Sequence, residues 1–588
     1  MGRRIGPAGL AAGLPLALVA MGAAAVAAEA EAARRPNVLL IVTDDQGYGD
    51  LGSTGNPVLK TPRLDALAAG SARFRSFYVS PVCSPTRASL MTGRYNYRTG
   101  VVDTFRGRSR MHPGEVTIAE ALASSGYRTG IFGKWHLGDN APCRAMDQGF
   151  AESLVHRGGG IGQGFAPPGG DRYTDPILLR NGAEERARGY CTDIFADAAI
   201  RFIEADPGRP FLAYLAFNAP HDPLEVPERY LERYAGFHPR RRDPGGAQTP
   251  GGEEEAGSVA RVYAMLASVD ENVGRVLDRL DQLGLGRDTI VVFLSDNGPA
   301  QPRFNAGLRG RKESVHEGGI RVPCFVRWPG KVEPGRVVGP IAAHIDLMPT
   351  LLSACGVAPP VGVPMDGRDL MPLLEGKAVD WPERVLYFQW HRGDRPEAGR
   401  AFAARGTRFK LTQALGVEPG PLPRPPRYQL FDILADPAER DDLADRHPEE
   451  VVDLLRGYRA WFDEVASARN PAVPPIQVGS PSENPVTLTR QDWRGSATAW
   501  ADGELGGWDV DVVAGGTYDA TLLHSGGPSG VARFELRATQ ARAEAKTGAR
   551  STPIGRVVLA PGRGRLRAWV ERAAGSVGVY QVVLRHLE

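Results

Sequence analysis

The chain has 588 residues, of which 42% are hydrophobic and 23% are charged, and its 70 lysines and arginines nearly balance its 68 aspartates and glutamates. This composition excludes a mainly disordered or collagen-like protein, and the length predicts more than one domain. Because the net charge is only +2, we expect no nucleic-acid partner, and any affinity for anions must come from a local site.

Residues 1–28 are typical of a signal peptide. Arg3 and Arg4 precede an Ala/Leu/Val-rich run that contains small-residue triplets. A single membrane anchor is the alternative interpretation, but the run is interrupted by Gly and Pro and is only weakly apolar. We therefore predict cleavage near Ala28 or Ala30, export to the periplasm or the medium, and no stable membrane insertion after cleavage.

From about residue 35, buried-strand patterns alternate with amphipathic helical patterns. Two predominantly apolar runs, 37–42 and 289–294, are each followed by polar residues. Apolar strands that alternate with helices indicate a large mixed, mostly parallel α/β sheet flanked by helices. Because ligands of such sheets bind beyond the carboxyl ends of the strands, we expect both polar pairs to lie in one cleft. These residues are Asp44, Asp45, Asp296 and Asn297.

Changes in composition and periodicity divide the rest of the chain. Residues 35–375 are predicted to form a catalytic α/β domain, and residues 376–467, with short strand patterns and a late helix, a small α+β subdomain. Residues 468–488 are rich in Pro, Ser and Asn and are predicted to be a linker. Alternating patterns in 489–588 favour a β-sandwich module, which is either sugar-binding or a structural appendage.

The chain has five cysteines, and an odd number in an exported protein leaves at least one thiol to be explained. Cys143 and Cys191 either pair in an oxidising compartment or are buried and reduced. Cys83 opens the sequence Cys-Ser-Pro-Thr-Arg, which ends at Arg87 and is followed by Thr-Gly-Arg at 92–94.

The segment 83–94 resembles the signature of the formylglycine-dependent (type I) sulfatases, the arylsulfatase-like family of the alkaline phosphatase superfamily. A chance match over six fixed positions would be rare. The resemblance implies an alkaline-phosphatase-like fold, a catalytic role for Arg87, and oxidation of Cys83 to formylglycine by a formylglycine-generating maturation enzyme. In the implied reaction one hydroxyl of the hydrated aldehyde attacks sulfur, and deprotonation of the other then expels sulfate.

The same resemblance implies a calcium site at the strand ends. Oxygen side chains suit a hard divalent cation, although magnesium stays open from the sequence alone. The implied ligands of one Ca²⁺ ion are Asp44, Asp45, Cys83 after its modification, Asp296 and Asn297.

Further motifs match catalytic elements of the family. Gly-Lys-Trp-His-Leu-Gly contains Lys134, which the resemblance places on formylglycine or sulfate oxygens, and His136, the implied base of the elimination step. His221 follows another apolar run and resembles the general-acid histidine, which protonates the leaving group. Lys312 lies in a segment similar to the one whose lysine contacts sulfate. Lys134, His221 and Lys312 are therefore also predicted to bind substrate.

One stretch departs from the family pattern. After Asp147-Gln148-Gly149-Phe150, where many relatives have another polar sulfate contact, this chain has a glycine-rich segment at 155–160. His156 and Arg157 in that segment are predicted to bind substrate.

The sequence thus predicts a sulfuric ester hydrolase that acts on a sulfated small molecule or glycan. A phosphomonoester or phosphonate hydrolase of the same superfamily is the nearest alternative, but such enzymes usually have more metal ligands where this chain has Lys and Arg. An inactive sugar-binding surface protein is a more remote alternative, because every expected catalytic residue is present.

Overall fold

The computed structural model describes residues 1–2, 35–163, 172–236, 240–242, 248–250, 253–377, 380–468, 473–495 and 504–587. The predicted signal peptide lies outside these ranges except for its first two residues. Within the described ranges, no helix is both long and apolar enough to cross a membrane.

A ten-stranded mixed sheet forms the centre of the first part of the chain. Its five central strands are parallel, and antiparallel pairs occur towards both edges. The predicted large, mostly parallel sheet is therefore confirmed. In spatial order the strands are Val337–Val338, Ala72–Phe74, Cys324–Arg327, Thr289–Ser295, Asn37–Thr43, Phe211–Ala216, Arg128–Lys134, Glu152–His156, Ile177–Arg180 and Ala183–Arg186.

Helices cover both faces of this sheet. Alternate side chains of a strand point to opposite faces, so Leu40 packs in one apolar cluster and its neighbours Leu39 and Ile41 pack in the other. Burial on both faces explains why residues 38–42 of the strand Asn37–Thr43 are all apolar. The α-helices of this region are Pro62–Ala69, Cys83–Thr92, Ile118–Ser124, Cys191–Ala205, Glu228–Leu231, Glu253–Gln282, Glu317–Ile320, Leu347–Ala354 and Met371–Leu374.

A smaller α+β region follows. Four antiparallel strands form a sheet against which the helix Pro448–Ser467 packs Tyr458 and Val465. A three-stranded sheet, formed by strands from earlier in the chain, contributes to the same apolar cluster. Separately, two short antiparallel strands pair between residues 240 and 250. The strands are Leu386–Gln389, Phe402–Arg405, Phe409–Gln413 and Gln429–Asp432; Arg321–Val322, Phe77–Tyr78 and Ala342–Ala343; and Arg240–Arg242 with Gln248–Pro250.

The last part of the chain is a two-layered β structure. Its final strand, Gly575–Leu587, pairs with one layer near its start and with the other over most of its length, and Trp493 and Trp508 lie in the core between them. This agrees with the predicted β-sandwich. The strands are Ile476–Val478, Val486–Thr489, Arg494–Gly495, Gly506–Val512, Gly516–His524, Gly530–Leu536, Thr539–Ala545, Ser551–Leu559, Gly562–Arg572 and Gly575–Leu587.

The predicted linker, 468–488, contains ordered structure in its described part. Ile476–Val478 pairs with the strand Gly506–Val512, and a strand that starts at Val486 pairs with the final strand. Strands this short carry too little periodicity to be recognised in the sequence. The exact division of the chain into domains stays a prediction, but this segment is part of the β structure and is called here, together with residues 489–588, the C-terminal module.

Candidate active site at the strand ends

The polar residues after two neighbouring strands meet as predicted, and we call them the strand-end cluster: Asp44, Asp45, Asp296 and Asn297. The parallel register pairs Thr43 with Ser295, so the residues that follow lie side by side. Candidate ligand atoms of Asp44, Cys83 and Asp296 lie within 4.8 Å of one another, as do those of Asp44, Asp45 and His221. The cluster, Cys83 and His221 therefore form one buried site.

Cys83 is the first residue of its helix and is buried. Burial raises the pKa of its thiol, against the opposing influence of Lys134 and Lys312, so the unmodified side chain is a protonated, weak nucleophile. Of the other cysteines, Cys143 is also a buried thiol, which donates to the carbonyl of Met111 at 3.3 Å and forms no disulfide.

Arg87 ties this helix to the carboxyl ends of two strands of the large sheet. Its Nε and Nη2 donate to Oδ2 of Asp296 at 3.0 and 2.8 Å, and its Nη1 donates to the backbone carbonyl of Lys134 at 2.9 Å. Because every one of these groups is buried, the charge-assisted pair is strong and directional. Arg87 thus fixes the relative positions of Cys83, Asp296 and Lys134.

Two lysines form ion pairs with the aspartates that follow the strand Asn37–Thr43. Nζ of Lys134 donates to Oδ2 of Asp44, and Nζ of Lys312 donates to Oδ2 of Asp45 at 2.9 Å. Burial alone favours a raised pKa for each carboxyl; Asp44 stays raised, whereas Lys312 brings the pKa of Asp45 below its usual range. Burial and the charge of Asp44 raise the pKa of Asp296 to about 6.

The strand-end cluster fits a hard cation. Oδ1 of Asp44 and Oδ1 of Asn297 are buried and have no hydrogen-bond partner among the described residues. Unsatisfied buried oxygens of this kind are rare in folded proteins and need a partner. Carboxylate and amide oxygens are the ligands that Ca²⁺ and Mg²⁺ prefer, so the chemistry of the cluster agrees with the predicted metal site.

His136 is held as a neutral base. Its Nε2 lies 2.7 Å from the carbonyl oxygen of Thr104, and since a carbonyl only accepts, Nε2 carries the proton and Nδ1 has a lone pair. Nδ1 has no hydrogen-bond partner in the described part of the chain. Burial and the nearby Lys134 lower the pKa of His136 well below its usual value, so Nδ1 is available to accept a proton.

His221 has the opposite ring orientation. Its Nδ1 lies 2.7 Å from the carbonyl oxygen of Asp222 and its Nε2 3.9 Å from Oδ2 of Asp45. Burial, followed by the charge of Lys312, lowers its pKa to about 4. His221 is therefore neutral in the free protein at neutral pH, and a role as proton donor requires an anionic group that raises this pKa.

The two predicted contacts in the glycine-rich segment differ in their surroundings. His156 pairs in register with Lys134, its Nδ1 lies 2.9 Å from the carbonyl of Arg157, and its buried Nε2 has no partner among the described residues. Arg157 instead faces acidic groups of the protein, with Nη2 3.7 Å from Glu184. The site therefore brings His156 close to Lys134, whereas Arg157 is engaged elsewhere.

The glycines of that segment have a steric reason. A Cβ atom on Gly159 would lie 2.5 Å from Cε1 of His136, and one on Gly160 would lie 2.9 Å from Cε1 of His221. Side chains at these positions would displace the two histidines. The departure from the family pattern thus allows the backbone to approach both rings closely.

Some residues of the site carry no signal in the sequence. Thr104 contributes only its backbone carbonyl, so no side-chain motif reveals it. Gln491, 355 positions after His136, donates from Nε2 to the Thr104 carbonyl at 2.7 Å and lies 3.4 Å from Nε2 of His136. Only the tertiary structure brings these residues together.

The fold and the site define a hydrolase of the alkaline-phosphatase-like superfamily. The Sulfatase family model matches residues 36–357, and a model described as N-sulphoglucosamine sulphohydrolase, C-terminal, matches residues 311–457. The chain belongs to the sulfatase family, and its activity is that of a sulfuric ester hydrolase. The predicted family, fold class and reaction class are thus confirmed.

Individual relatives agree with this assignment. Human arylsulfatase A is 36% identical over 431 residues, covering 66% of this chain and 76% of that protein. N-acetylgalactosamine-6-sulfatase from Canis lupus familiaris is 33% identical over 421 residues, covering 66% and 74%. The crystal structure of Ps i-CgsB in complex with k-i-k-neocarrahexaose is similar with a TM-score of 0.64 and 27% identity, covering 75% of this chain and 94% of that one.

Proposed function

We propose that this sulfatase hydrolyses sulfate monoesters of a carbohydrate through a formylglycine formed at Cys83, with one calcium ion bound by the strand-end cluster. The observation that carries the proposal is the convergence of Cys83, two unsatisfied ligand oxygens and two lysines in one buried site. A buried group of cations and metal ligands suits a tetrahedral anion whose charge increases in the transition state.

The cations of the chain bind and orient the sulfate group. Lys134 and Lys312 reach the site from two different segments, and each already donates to an aspartate there. Arg87 keeps Asp296 charged and in place through two hydrogen bonds. A calcium ion held by the strand-end cluster would supply further positive charge to the site.

The two histidines divide the proton transfers. Neutral His136 accepts a proton on Nδ1 during elimination, since Nε2 is committed to the Thr104 carbonyl. His221 donates from Nε2 to the leaving oxygen, and the anionic substrate raises its pKa so that it becomes protonated on binding. The Nε2 of His156, unpartnered among the described residues, supports this residue as a substrate contact. The predicted contact of Arg157 has no such support, because its guanidinium faces Glu184.

The carbohydrate assignment is supported by relatives. One is an N-acetylgalactosamine-6-sulfatase, and another was solved in complex with k-i-k-neocarrahexaose. The signal-like residues 1–28 support export, and the intact Cys-Ser-Pro-Thr-Arg sequence supports a maturation enzyme as partner.

The proposal is tested by turnover of an aryl sulfate by protein made together with a formylglycine-generating enzyme. The change Cys83→Ala should abolish turnover, with a loss of at least about 10⁴-fold, because the nucleophile is removed. Cys355→Ala, at another buried thiol, should leave turnover per folded molecule unchanged. If C83A still hydrolyses the aryl sulfate at the wild-type rate, Cys83 is not the precursor of the nucleophile.

A further inference from the structure

Gln491 of the C-terminal module lies at the active site. Gln491 lies in a short 3-10 turn, Arg490–Asp492, at the start of the predicted sandwich. Its amide nitrogen and the Nε2 of His136 both face the carbonyl oxygen of Thr104, each at 2.7 Å. A carbonyl oxygen has two lone pairs and can accept both hydrogen bonds at once.

The turn that carries Gln491 is fixed to the core of the module. Arg490 donates from Nε to the carbonyl of Val579 and from Nη2 to the carbonyl of Gly578, each at 2.9 Å, and both acceptors belong to the final strand. Gln491 is buried. The amide is therefore presented from a rigid support and has few alternative rotamers.

The loop that carries Thr104 is held against the same module. The backbone nitrogen of Gly107 donates to the carbonyl of Gln491 at 3.2 Å, and Arg494 donates to the carbonyl of Arg106 at 2.7 Å. Phe105 packs against the apolar core of the module. The position of the Thr104 carbonyl therefore depends on residues of the C-terminal module, which lie more than 380 positions further along the chain.

We propose that Gln491 is a positioning residue of the sulfatase reaction: it holds the Thr104 carbonyl so that His136 keeps its proton on Nε2 and its lone pair on Nδ1. The C-terminal module thereby completes the active site. This inference rests on the proposed role of His136 as a base. Without the second donor, the Thr104 carbonyl loses one of the hydrogen bonds that fix its direction, and the fraction of molecules with a correctly placed Nδ1 falls.

The test compares Gln491→Leu and Gln491→Asn with Glu483→Ala in full-length, formylglycine-containing protein. Leu removes the amide, and Asn withdraws it by one methylene while keeping a polar residue. Glu483 also joins the module to the catalytic region, since it accepts from Nδ2 of Asn140 at 2.9 Å and from the nitrogen of Ala141 at 2.7 Å. It makes no contact with Thr104 or His136, so it controls for weakened docking.

For Q491L and Q491N we expect kcat on an aryl sulfate to fall about tenfold or more, with KM within about twofold, because the base and not substrate binding is affected. E483A should lower the melting temperature but keep kcat. Wild-type kcat in either Gln491 variant, or an equal loss of kcat in E483A, overturns the proposal. Wild-type hydrolysis of the aryl sulfate is measured in parallel, and only its absence counts against the proposed function.

Discussion

The strand-end cluster and His136 lie in the same site but are held by different parts of the chain. The cluster is positioned by the parallel register of two adjacent strands, and its partners Arg87 and Lys134 come from the same α/β fold. His136 depends on a carbonyl that the C-terminal module fixes through Gln491. The positions of the proposed metal ligands thus follow from the backbone of the α/β fold, whereas the position of the proposed base depends on how two parts of the protein dock.

The largest expected effect is on the cluster side, from Asp296→Asn. The change removes a proposed metal ligand and leaves the buried guanidinium of Arg87 without its carboxylate. We expect turnover to fall roughly 10³-fold and the free energy of unfolding to fall by about 3 kcal/mol. Steady-state kinetics and urea unfolding measure the two effects. Asp281→Asn, at an exposed ion pair with Arg327, is the control. Its free energy of unfolding should change by no more than about 0.5 kcal/mol. Equal losses in the two variants would contradict the proposed site.

Removal of the proposed calcium ion tests the strand-end cluster separately from the C-terminal module. Treatment of the purified protein with a chelator should abolish turnover and lower the melting temperature, and calcium should restore both. At a free calcium concentration about 100 times the dissociation constant, the expected stabilisation is about 2.7 kcal/mol. D296N should respond much less. Identical melting curves with and without chelator would show that no structural cation binds there.

Asp492, next to Gln491, tests the docking side through pH. Both of its carboxylate oxygens are buried without a hydrogen-bond partner among the described residues, and burial raises its pKa from 3.8 to about 7. Because the folded state holds the proton more tightly than the unfolded state, stability decreases as pH rises from about 4 to about 7. Asp492→Asn should remove this decrease and raise the free energy of unfolding at pH 8 by on the order of 3 kcal/mol.

Unfolding of D492N should differ little from wild type at about pH 3, where the carboxyl is largely protonated in both states. Asp511→Asn, at a largely exposed ion pair with Arg563 in the same module, should show the wild-type pH dependence. A wild-type pH dependence in D492N as well would contradict the assigned burial of this carboxyl.

The smallest expected effect is on substrate binding. His156→Leu removes the free Nε2 near Lys134, and we expect KM to rise up to about tenfold with kcat nearly unchanged. Arg157→Ala should leave KM close to wild type, because its guanidinium already faces Glu184. The ratio of the two KM values, measured on the same aryl sulfate, decides which residue contacts substrate. A larger effect of R157A would reverse the assignment.

Much of the fold and site could be predicted because the determinants are local. Continuous apolar runs identified the central strands, and their polar ends identified Asp44 and Asp296. The short strand Ile476–Val478 was missed because three residues do not establish a period. Thr104 was missed because it acts through its backbone carbonyl, which every residue type has. Gln491 was missed because its contact with Thr104 joins positions 387 apart. The glycines at 159 and 160 had a visible pattern, but their reason required the positions of both histidines.

The central claim is tested most directly by mass spectrometry of the peptide that contains Cys83, from active protein purified from its native host. The account predicts that sulfur is lost from this residue and a carbonyl gained, and that the modified fraction rises in proportion to specific activity. An unmodified Cys83 in fully active protein would contradict it.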